Sequence, residues 1–355
     1  MEIQKLPVER LYKEEIKKLI ENEGDICPTG WQMSPKSVRK FILGDDELGI
    51  SKKIYGNDKV VERSIVTLAT NRGLLLIGVP GTAKTMLSEL LSAAICNNSL
   101  NTIQGNAGTS EADLKYSWNY ALLIANGPSE KSLIKSPVMK SMMDGSLMRF
   151  EEITRTPQEV QDMLISIMSD KVMMIPELPE NNHIFAKEGF NIIATANTLD
   201  KGVNEMSSAL KRRFNIEVIN PVNNIKLEKE IVKNQVMKLE ENIVIEEDVI
   251  DMLTTVFVEM RNGESVDGKK LEKPTKNLST AELVNVYHEC AVHAKFFNDS
   301  QMDMQSVSQN LINSFDFEDD ADISSLKYYF EKVVKERAKK SEIYRELYKS
   351  RVEIR

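Results

Sequence analysis

The stretch of sequence that decides the fold is Gly78-Val79-Pro80-Gly81-Thr82-Ala83-Lys84-Thr85. It follows the apolar run 74–77, which is typical of a short buried strand, and precedes the segment 86–91, whose apolar residues have helical spacing. A strand, a glycine-containing loop, a Lys-Thr pair and a helix in this order are the context that a phosphate-binding P-loop requires. The alternative is a Gly/Pro turn that merely precedes a helix.

Each residue type in this loop suits the binding of a triphosphate. Gly78 and Gly81 allow the backbone to curl so that its N–H groups point at phosphate oxygens, and the following helix adds its positive N-terminal end. Lys84 is predicted to reach the β- and γ-phosphates of ATP, and the Thr85 hydroxyl to bind Mg²⁺. Ala83 stands where a last glycine is usual, and we expect it to hold a helical conformation. The predicted nucleotide-contacting residues of the loop are Gly78, Val79, Pro80, Gly81, Thr82, Ala83, Lys84, Thr85 and Met86.

The composition limits the classes of protein to consider. The chain has 355 residues, 41% of them hydrophobic and 28% charged, as in a globular protein of two or three domains. The formal charge is −8, but residues 327–355 carry 10 Lys and Arg against 5 Glu, so the rest of the chain has a charge of −13. This acidic body argues against a nucleic-acid groove. The basic tail is typical of a solvated helix face, or else of a surface for an acidic partner.

Cysteine usage and hydropathy suggest a cytoplasmic location. The three cysteines have no C-x-x-C spacing, which predicts reduced thiols and neither a disulfide framework nor a zinc site. The chain is charged from Glu2 onward, and no apolar run approaches the length of a membrane-spanning helix. We therefore expect no membrane contact except through a partner.

The hydrophobic pattern changes along the chain and predicts three regions. Residues 1–45 form a helical preface, 46–220 an α/β core with a parallel sheet, and 221–355 an all-α domain. Within the core, the aromatic alternation of Tyr116, Trp118 and Tyr120 predicts a strand that turns at 126–128 into a second strand. We also predict helices over 157–170, 203–213 and 323–350, and a hairpin over 171–188.

Two adjacent carboxylates follow a predicted strand in the segment 147–152, Leu-Met-Arg-Phe-Glu-Glu. Strand ends in parallel α/β sheets lie near the P-loop, so we predict that Glu151 binds the metal and Glu152 polarises the attacking water. Arg149 interrupts the apolar strand and must reach solvent or a carboxylate. A solvated Glu-Glu pair is the alternative.

Polar residues at two later positions complete a set that could hydrolyse ATP. Asn197 ends the apolar run 190–196 and could orient water or contact the γ-phosphate, or else only form a turn. Arg212 and Arg213 end a predicted helix and could neutralise phosphate charge in their own or a neighbouring subunit. The alternative is a basic helix end that the helix dipole favours.

The ordered segments 78–85, 150–155, 194–197 and 209–214, with a helical domain behind them, resemble an AAA+ ATPase. More closely, the chain is similar to the MoxR branch and its YehL-like subgroup. The resemblance implies that Glu151 and Glu152 are the Walker B residues and Asn197 is sensor 1. It further implies that Arg212 or Arg213 is an arginine finger, with Arg213 the better match, and that Ile54 and Tyr55 lie near the adenine.

The resemblance also implies how such a protein works. Relatives of this type resemble chaperones that assemble as a hexameric ring and remodel a partner protein, such as one with a von Willebrand A domain. The segments 116–134 and 171–188 match insertions that face the ring pore. Two rival functions stay open: a nucleic-acid motor or restriction-type NTPase, and a nucleotide-gated scaffold with little hydrolysis. The second is suggested by Glu151, where Asp is usual, and by Ala281, where a sensor 2 arginine is usual.

Overall fold

A computed structural model of the chain describes residues 4–180, 182–197, 204–239 and 245–354. The chain forms two compact units. The first comprises Met1–Val79 and Ala83–Asn220. The second comprises Pro221–Arg355 together with Pro80–Thr82 at the tip of the glycine loop. Residues 4–45, the predicted preface, are part of the first unit, where Leu19 and Phe41 pack into the same cluster as Leu74.

A parallel five-stranded sheet is the centre of the first unit, and its strands lie in the order Thr102–Gln104, Leu147–Glu151, Asn191–Asn197, Gly73–Gly78 and Phe214–Val218. The strands are β1 (Gly73–Gly78), β2 (Thr102–Gln104), β3 (Tyr116–Trp118), β4 (Leu133–Lys135), β5 (Leu147–Glu151), β6 (Val172–Met174), β7 (His183–Phe185), β8 (Asn191–Asn197) and β9 (Phe214–Val218). The pairs β3–β4 and β6–β7 form two separate antiparallel ribbons. The predicted α/β architecture with a parallel sheet is confirmed.

The first unit also contains helices on and around this sheet. They are α1 (Val8–Leu11), α2 (Lys13–Glu21), α3 (Pro35–Leu43), α4 (Asp58–Leu68), α5 (Lys84–Cys96), α6 (Glu111–Leu114), α7 (Tyr120–Asn126), α8 (Pro137–Asp144), α9 (Gln158–Asp162), α10 (Leu164–Asp170) and α11 (Ser208–Lys211). The predicted helix 157–170 is interrupted at Met163. Of the predicted helix 203–213, residue 203 lies outside the described residues, and only Ser208–Lys211 is helical.

The register of the sheet brings the candidate site residues to one edge. Gly78, the last residue of β1, pairs with Asn197, the last residue of β8. On the other side of β8, Phe150 pairs with Ala194, so Glu151 follows at the level of Thr195. The carboxyl ends of β1, β5 and β8 therefore lie side by side, where ligands bind in sheets of this kind.

The insertion at 116–134 differs from the predicted strand. β3 ends at Trp118, and the Asn119 side chain accepts a hydrogen bond from Leu122 N and begins α7, so Tyr120 is helical. A three-residue strand then returns as β4, with Trp118 opposite Leu133. An asparagine cap captures the free N–H groups of a following helix, and this preference outweighs the aromatic alternation.

The second unit is helical. Its helices are α12 (Ile225–Leu239), α13 (Glu247–Asn262), α14 (Thr280–Phe297), α15 (Met304–Asn313), α16 (Asp320–Tyr329), α17 (Lys335–Arg337) and α18 (Glu342–Lys349), with a π-helical turn at Phe330–Val334. The predicted single helix 323–350 is wrong, because the chain passes through that π turn and then breaks between Arg337 and Glu342. Arg337 pairs with the buried Glu259 of α13, which fixes this corner of the unit.

Candidate nucleotide site

The loop after β1 has the left-handed bends that a phosphate-binding loop uses. Gly81 has a φ of +77°, and Ala83 has φ 64° and ψ 24°. The expectation that Ala83 is helical is therefore wrong. Alanine in the left-handed region costs about 1–2 kcal/mol, which explains why glycine is usual at this position. Gly78 belongs to β1 and pairs with Asn197, so it does not form the curl that we assigned to it.

Lys84 is the first residue of α5 and is 8% exposed. Its Nζ donates to the carbonyl oxygens of Gly78 and Val79, at 3.0 and 2.8 Å. The ammonium is therefore held over the loop at the helix N-terminus. A fixed cation there suits the β- and γ-phosphates of a nucleotide.

Thr85 and Glu151 meet at the centre of the sheet edge. The Thr85 hydroxyl donates to Glu151 Oε2 at 3.0 Å, and Thr195 donates to the same oxygen at 2.7 Å. The other carboxylate oxygen, Oε1, accepts hydrogen bonds from Ser88 at 2.6 Å and Arg149 at 2.7 Å. Glu151 is 4% exposed, so four protein donors replace the water that a carboxylate normally binds.

This environment keeps Glu151 ionised. Burial raises the pKa of the carboxyl group, but the Arg149 charge and the hydrogen bonds from Ser88 and Thr195 outweigh burial. The net pKa lies below its ordinary value. An ionised carboxylate beside a hydroxyl offers the hard oxygen ligands that Mg²⁺ prefers, so Thr85 and Glu151 fit a magnesium site.

Glu152 differs sharply from Glu151. Its backbone is left-handed, with φ 52° and ψ 45°, and its N–H donates to Thr195 Oγ1 at 3.0 Å. Its side chain is 32% exposed and forms an ion pair of 3.0 Å with Arg155. A glutamate in this backbone region is strained, and such strain persists at functional sites where the surrounding structure enforces it.

Asn197 and the two arginines lie at ends of elements, as the sequence predicted. Asn197 is partly buried at the end of β8, beside Gly78. Arg213 donates to Ser169 Oγ at 3.0 Å and to the Ala209 carbonyl at 2.9 Å. Arg212 is exposed, and within the described ranges its guanidinium has neither an ion-pair nor a hydrogen-bond partner.

The other predicted nucleotide contacts have different environments. Ile54 is 5% exposed and packs in the core with α3 and α4, whereas Tyr55 is only half-buried. Met86 is half-buried against that same core, on α5. The main chain of Val79, Pro80 and Thr82 completes the loop between β1 and α5.

In the second unit, Lys276 is the nearest cation upstream of Ala281, the position where a sensor 2 arginine is usual. Its Nζ donates to the Ser314 carbonyl at 2.6 Å and pairs with Glu282 at 2.7 Å. Both of these partners belong to the helical unit. Lys276 is therefore already engaged in holding that unit together.

Sequence reasoning missed the residues that hold the carboxylate. Ser88 lies one helical turn after Lys84, and Thr195 lies two residues before Asn197 on the same strand face. Both spacings can be seen in the sequence, but Ser and Thr are common in apolar segments, so neither residue was singled out. Arg149 was predicted to reach solvent or a carboxylate, and it donates to the carboxylate of Glu151.

The two insertions expose apolar side chains. None of the residues of α7 is buried, and Tyr120 and Ile124 are 75% and 87% exposed. Phe185 of β7 is 70% exposed. Trp118, in contrast, packs edge-on against Tyr116 at 5.9 Å and lies against the core. Among the predicted aromatic set, Tyr120 is therefore the solvent-facing member.

Comparison with known proteins adds the family. Residues 73–214 match the family described as an AAA domain of the dynein-related subfamily, and residues 223–355 match the YehL-like AAA+ ATPase C-terminal domain. The chain is 45% identical over 338 residues to the uncharacterized protein YehL of Escherichia coli (strain K12), covering 94% of this chain and 93% of YehL. The uncharacterized protein YojN of Bacillus subtilis (strain 168) is 26% identical over 243 residues, 65% of this chain and 77% of YojN.

Among solved structures, the chain is similar to NtrX from Brucella abortus in complex with ADP. The identity is 11% and the TM-score 0.47, over 80% of this chain and 63% of that chain. In the part of the chain that the structure describes, no helix combines the length and the apolar character needed to cross a bilayer.

Proposed function

The chain belongs to the YehL-like AAA+ ATPases, and on that premise we propose that it binds and hydrolyses ATP in order to remodel a partner protein. The observation that carries the catalytic part is the pair of adjacent carboxylates at the end of β5. One is buried and fixed by four hydrogen bonds, and the other is half-exposed at the same edge. Two neighbouring groups in such different environments suit two different tasks.

In this proposal the loop and the start of α5 bind the triphosphate. Backbone N–H groups of the loop and Lys84 hold the phosphates, while Thr85 and Glu151 hold Mg²⁺, directly or through water. When bound, Mg²⁺ neutralises charge that develops on the phosphates. Asn197, at the neighbouring strand end, orients the attacking water. Ile54 and Tyr55 contact the adenine.

Glu152 accepts the proton of the attacking water. Its backbone N–H bond to Thr195 fixes where the side chain starts, and the ion pair with Arg155 gives the carboxylate an alternative partner. To act as base, at least one Glu152 oxygen must turn toward the water. A glutamine at 152 keeps the shape but cannot take up the proton.

The test compares Glu152→Gln with Glu151→Gln in ATP hydrolysis and in ATP binding. Glu152→Gln should lower the turnover rate by about 10²–10⁴ with the ATP Kd unchanged. Glu151→Gln should instead raise the Mg²⁺ concentration needed for half-maximal activity. Glu159→Gln, at an exposed position of α9, is the matched control and should change neither the turnover rate nor the Mg²⁺ requirement. The reverse pattern at 151 and 152 would shift the assignment of the two carboxylates by one residue.

We also propose that the active site is completed by a neighbouring copy in a hexameric ring. Arg212 suits an arginine finger better than Arg213, because Arg212 is exposed whereas Arg213 is bound to Ser169 and Ala209 of its own chain. A finger is worth about 10³–10⁵ in rate. Specific activity should therefore rise with protein concentration as rings assemble.

Mixing two inactive variants tests this arrangement. Arg212→Ala and Lys84→Ala should each be inactive alone, but mixed rings contain interfaces with both an intact loop and an intact finger. Recovered hydrolysis supports a finger in trans. If mixed rings form without recovery, Arg212 acts within its own subunit or not at all.

A second candidate is a nucleotide-gated scaffold that barely hydrolyses ATP. It is favoured by the ion pair that engages Glu152 and by Ala281, which carries no charge to a phosphate. Single-turnover hydrolysis separates the two functions. A bound ATP that persists for hours in the native chain would favour the scaffold.

The proposed partner is a protein rather than a nucleic acid, and a von Willebrand A domain is a candidate class. Support comes from the exposed apolar residues of α7, which suit a polypeptide better than a phosphate backbone. The Glu152→Gln variant should capture the partner in ATP and release it in ADP. Salt-sensitive DNA binding at physiological ionic strength would instead favour a nucleic-acid motor.

A further inference from the structure

Arg149 is an unusual residue for the middle of β5, an interior strand of the sheet. It lies in β5, where all five residues are buried, and it is 4% exposed. Burying a guanidinium removes it from water at a considerable cost, and ion pairs of this kind are weak evidence for stability. Its presence between Met148 and Phe150 therefore calls for a role other than packing.

The Arg149 side chain is fixed by three acceptors on three sides. Its Nε donates to Ser88 Oγ at 3.0 Å, one Nη donates to the Ser99 carbonyl at 2.5 Å, and the other Nη donates to Glu151 Oε1 at 2.7 Å. A planar guanidinium with three engaged nitrogens has little freedom to rotate. It thus offers a rigid reference point two residues before the carboxylate.

Ser88 completes the support. Its hydroxyl lies between the two charged groups, accepting from Arg149 and donating to Glu151 Oε1 at 2.6 Å. Arg149 and Ser88 together therefore hold Oε1 of Glu151 in place. Oε2 is then the oxygen that faces Thr85, at 3.0 Å.

We propose that Arg149 is a positioning residue that fixes Glu151 so that Oε2 is presented to Mg²⁺ beside Thr85. This inference rests on the proposed ATP-binding function. It also accounts for the glutamate itself. Aspartate, one methylene shorter, would hold its carboxylate nearer the strand backbone and farther from the Arg149 nitrogen and the Thr85 hydroxyl, so we expect the buried arginine to favour the longer side chain.

The test measures metal binding separately from catalysis. The Kd of a non-hydrolysable ATP analogue is determined in EDTA and in Mg²⁺, and Mn²⁺ binding to the analogue-loaded protein is followed by electron paramagnetic resonance. Arg149→Met should weaken Mn²⁺ binding at least tenfold. The Kd for the analogue in EDTA should change less than threefold, because Lys84 and the loop are untouched.

Two further variants guard against a folding defect. Ser88→Ala keeps the arginine but removes the bridging hydroxyl, and should weaken Mn²⁺ binding about threefold. Glu151→Asp should weaken it as well, although Asp is the usual metal ligand at this position in the family that the chain resembles. Both changes are small enough to leave the strand in place.

Arg337→Met is the matched control. Arg337 also pairs with a buried glutamate, Glu259, at 2.6 Å, but in the helical unit. This variant should lower the melting temperature as Arg149→Met does, and leave Mn²⁺ binding unchanged. If both variants lose stability but only Arg149→Met loses Mn²⁺ binding, Arg149 positions the metal ligand and does more than pack.

The outcomes distinguish the inference from the proposed function. If Arg149→Met and Ser88→Ala leave Mn²⁺ binding unchanged while the native protein binds the analogue, Arg149 only stabilises the sheet and the inference is overturned. If Glu151→Asp binds Mn²⁺ as well as the native chain, the argument from side-chain length is overturned. If the native protein binds no analogue in either condition, the proposed function itself fails.

Discussion

The edge of the central sheet and the insertion around α7 differ in which side chains they bury: the first buries charged side chains, and the second exposes apolar ones. At the edge, Lys84, Arg149 and Glu151 are charged and almost fully buried, each with protein partners. On α7, Tyr120 and Ile124 are apolar and mostly exposed. Globular proteins normally bury apolar groups and expose charges, so both regions reverse the rule within one unit.

The difference indicates that the two regions have different functions. Buried, paired charges are rigid and suit a reaction that needs fixed electrostatics around phosphates and a metal. Exposed apolar side chains on a short helix contribute nothing to the core and suit contact with another polypeptide. The first region should therefore be sensitive to any change of charge, and the second should tolerate substitution until a partner is present.

The largest effect expected on ATP binding is at the sheet edge, from Lys84→Ala. Loss of the cation held over the loop should raise the ATP Kd well over tenfold, at least about 1.4 kcal/mol. The measurement is isothermal titration calorimetry with a non-hydrolysable analogue. Lys140→Ala, on the exposed side of α8, serves as the control and should bind normally. Unchanged affinity in folded Lys84→Ala would remove the phosphate role from this edge.

The second prediction concerns the insertion and its two kinds of apolar residue. Trp118→Ala should lower the free energy of unfolding by about 1–2 kcal/mol, because Trp118 packs on Tyr116 and the core. Ile124→Lys should change it by less than about 0.5 kcal/mol, since Ile124 is exposed and lysine favours a helix. Chemical denaturation measures both values.

Partner capture by the Glu152→Gln background extends this comparison. In that background Ile124→Lys should abolish capture, and in the native background the same change should leave basal hydrolysis unaltered. Equal destabilisation by Trp118→Ala and Ile124→Lys would mean that α7 packs on the protein rather than on a partner, and the contrast between the two regions would not hold.

The smallest effect is at the loop, from Ala83→Gly. Glycine relieves the left-handed strain of about 1–2 kcal/mol but is more flexible when unfolded, so we expect a gain of about 1 kcal/mol in stability. Ala112→Gly, in the exposed part of α6, should lose stability instead. Thermal denaturation measures both changes. If the two variants changed the stability in the same direction, the strain assigned to Ala83 would be contradicted.

Strong local signals explain which predictions from the sequence succeeded. A buried apolar run, glycine, Lys-Thr and a helix in register predicted the loop and the parallel sheet, because these features act over a few neighbouring residues. Predictions that depended on competing local preferences were less reliable. The asparagine cap at Asn119 changed a predicted strand into α7, and the left-handed backbone of Ala83 was not visible in its side chain.

The sequence by itself therefore determined the chemistry that is available: a lysine and a threonine at a helix start, and two carboxylates at a strand end. Only the tertiary structure decided how that chemistry is arranged. It selected Arg149 and Ser88 as the support of Glu151, and it left Arg212 exposed where Arg213 is bound. The physical reason is that hydrogen bonds between α5 and β5 join residues more than sixty positions apart, which no local pattern records.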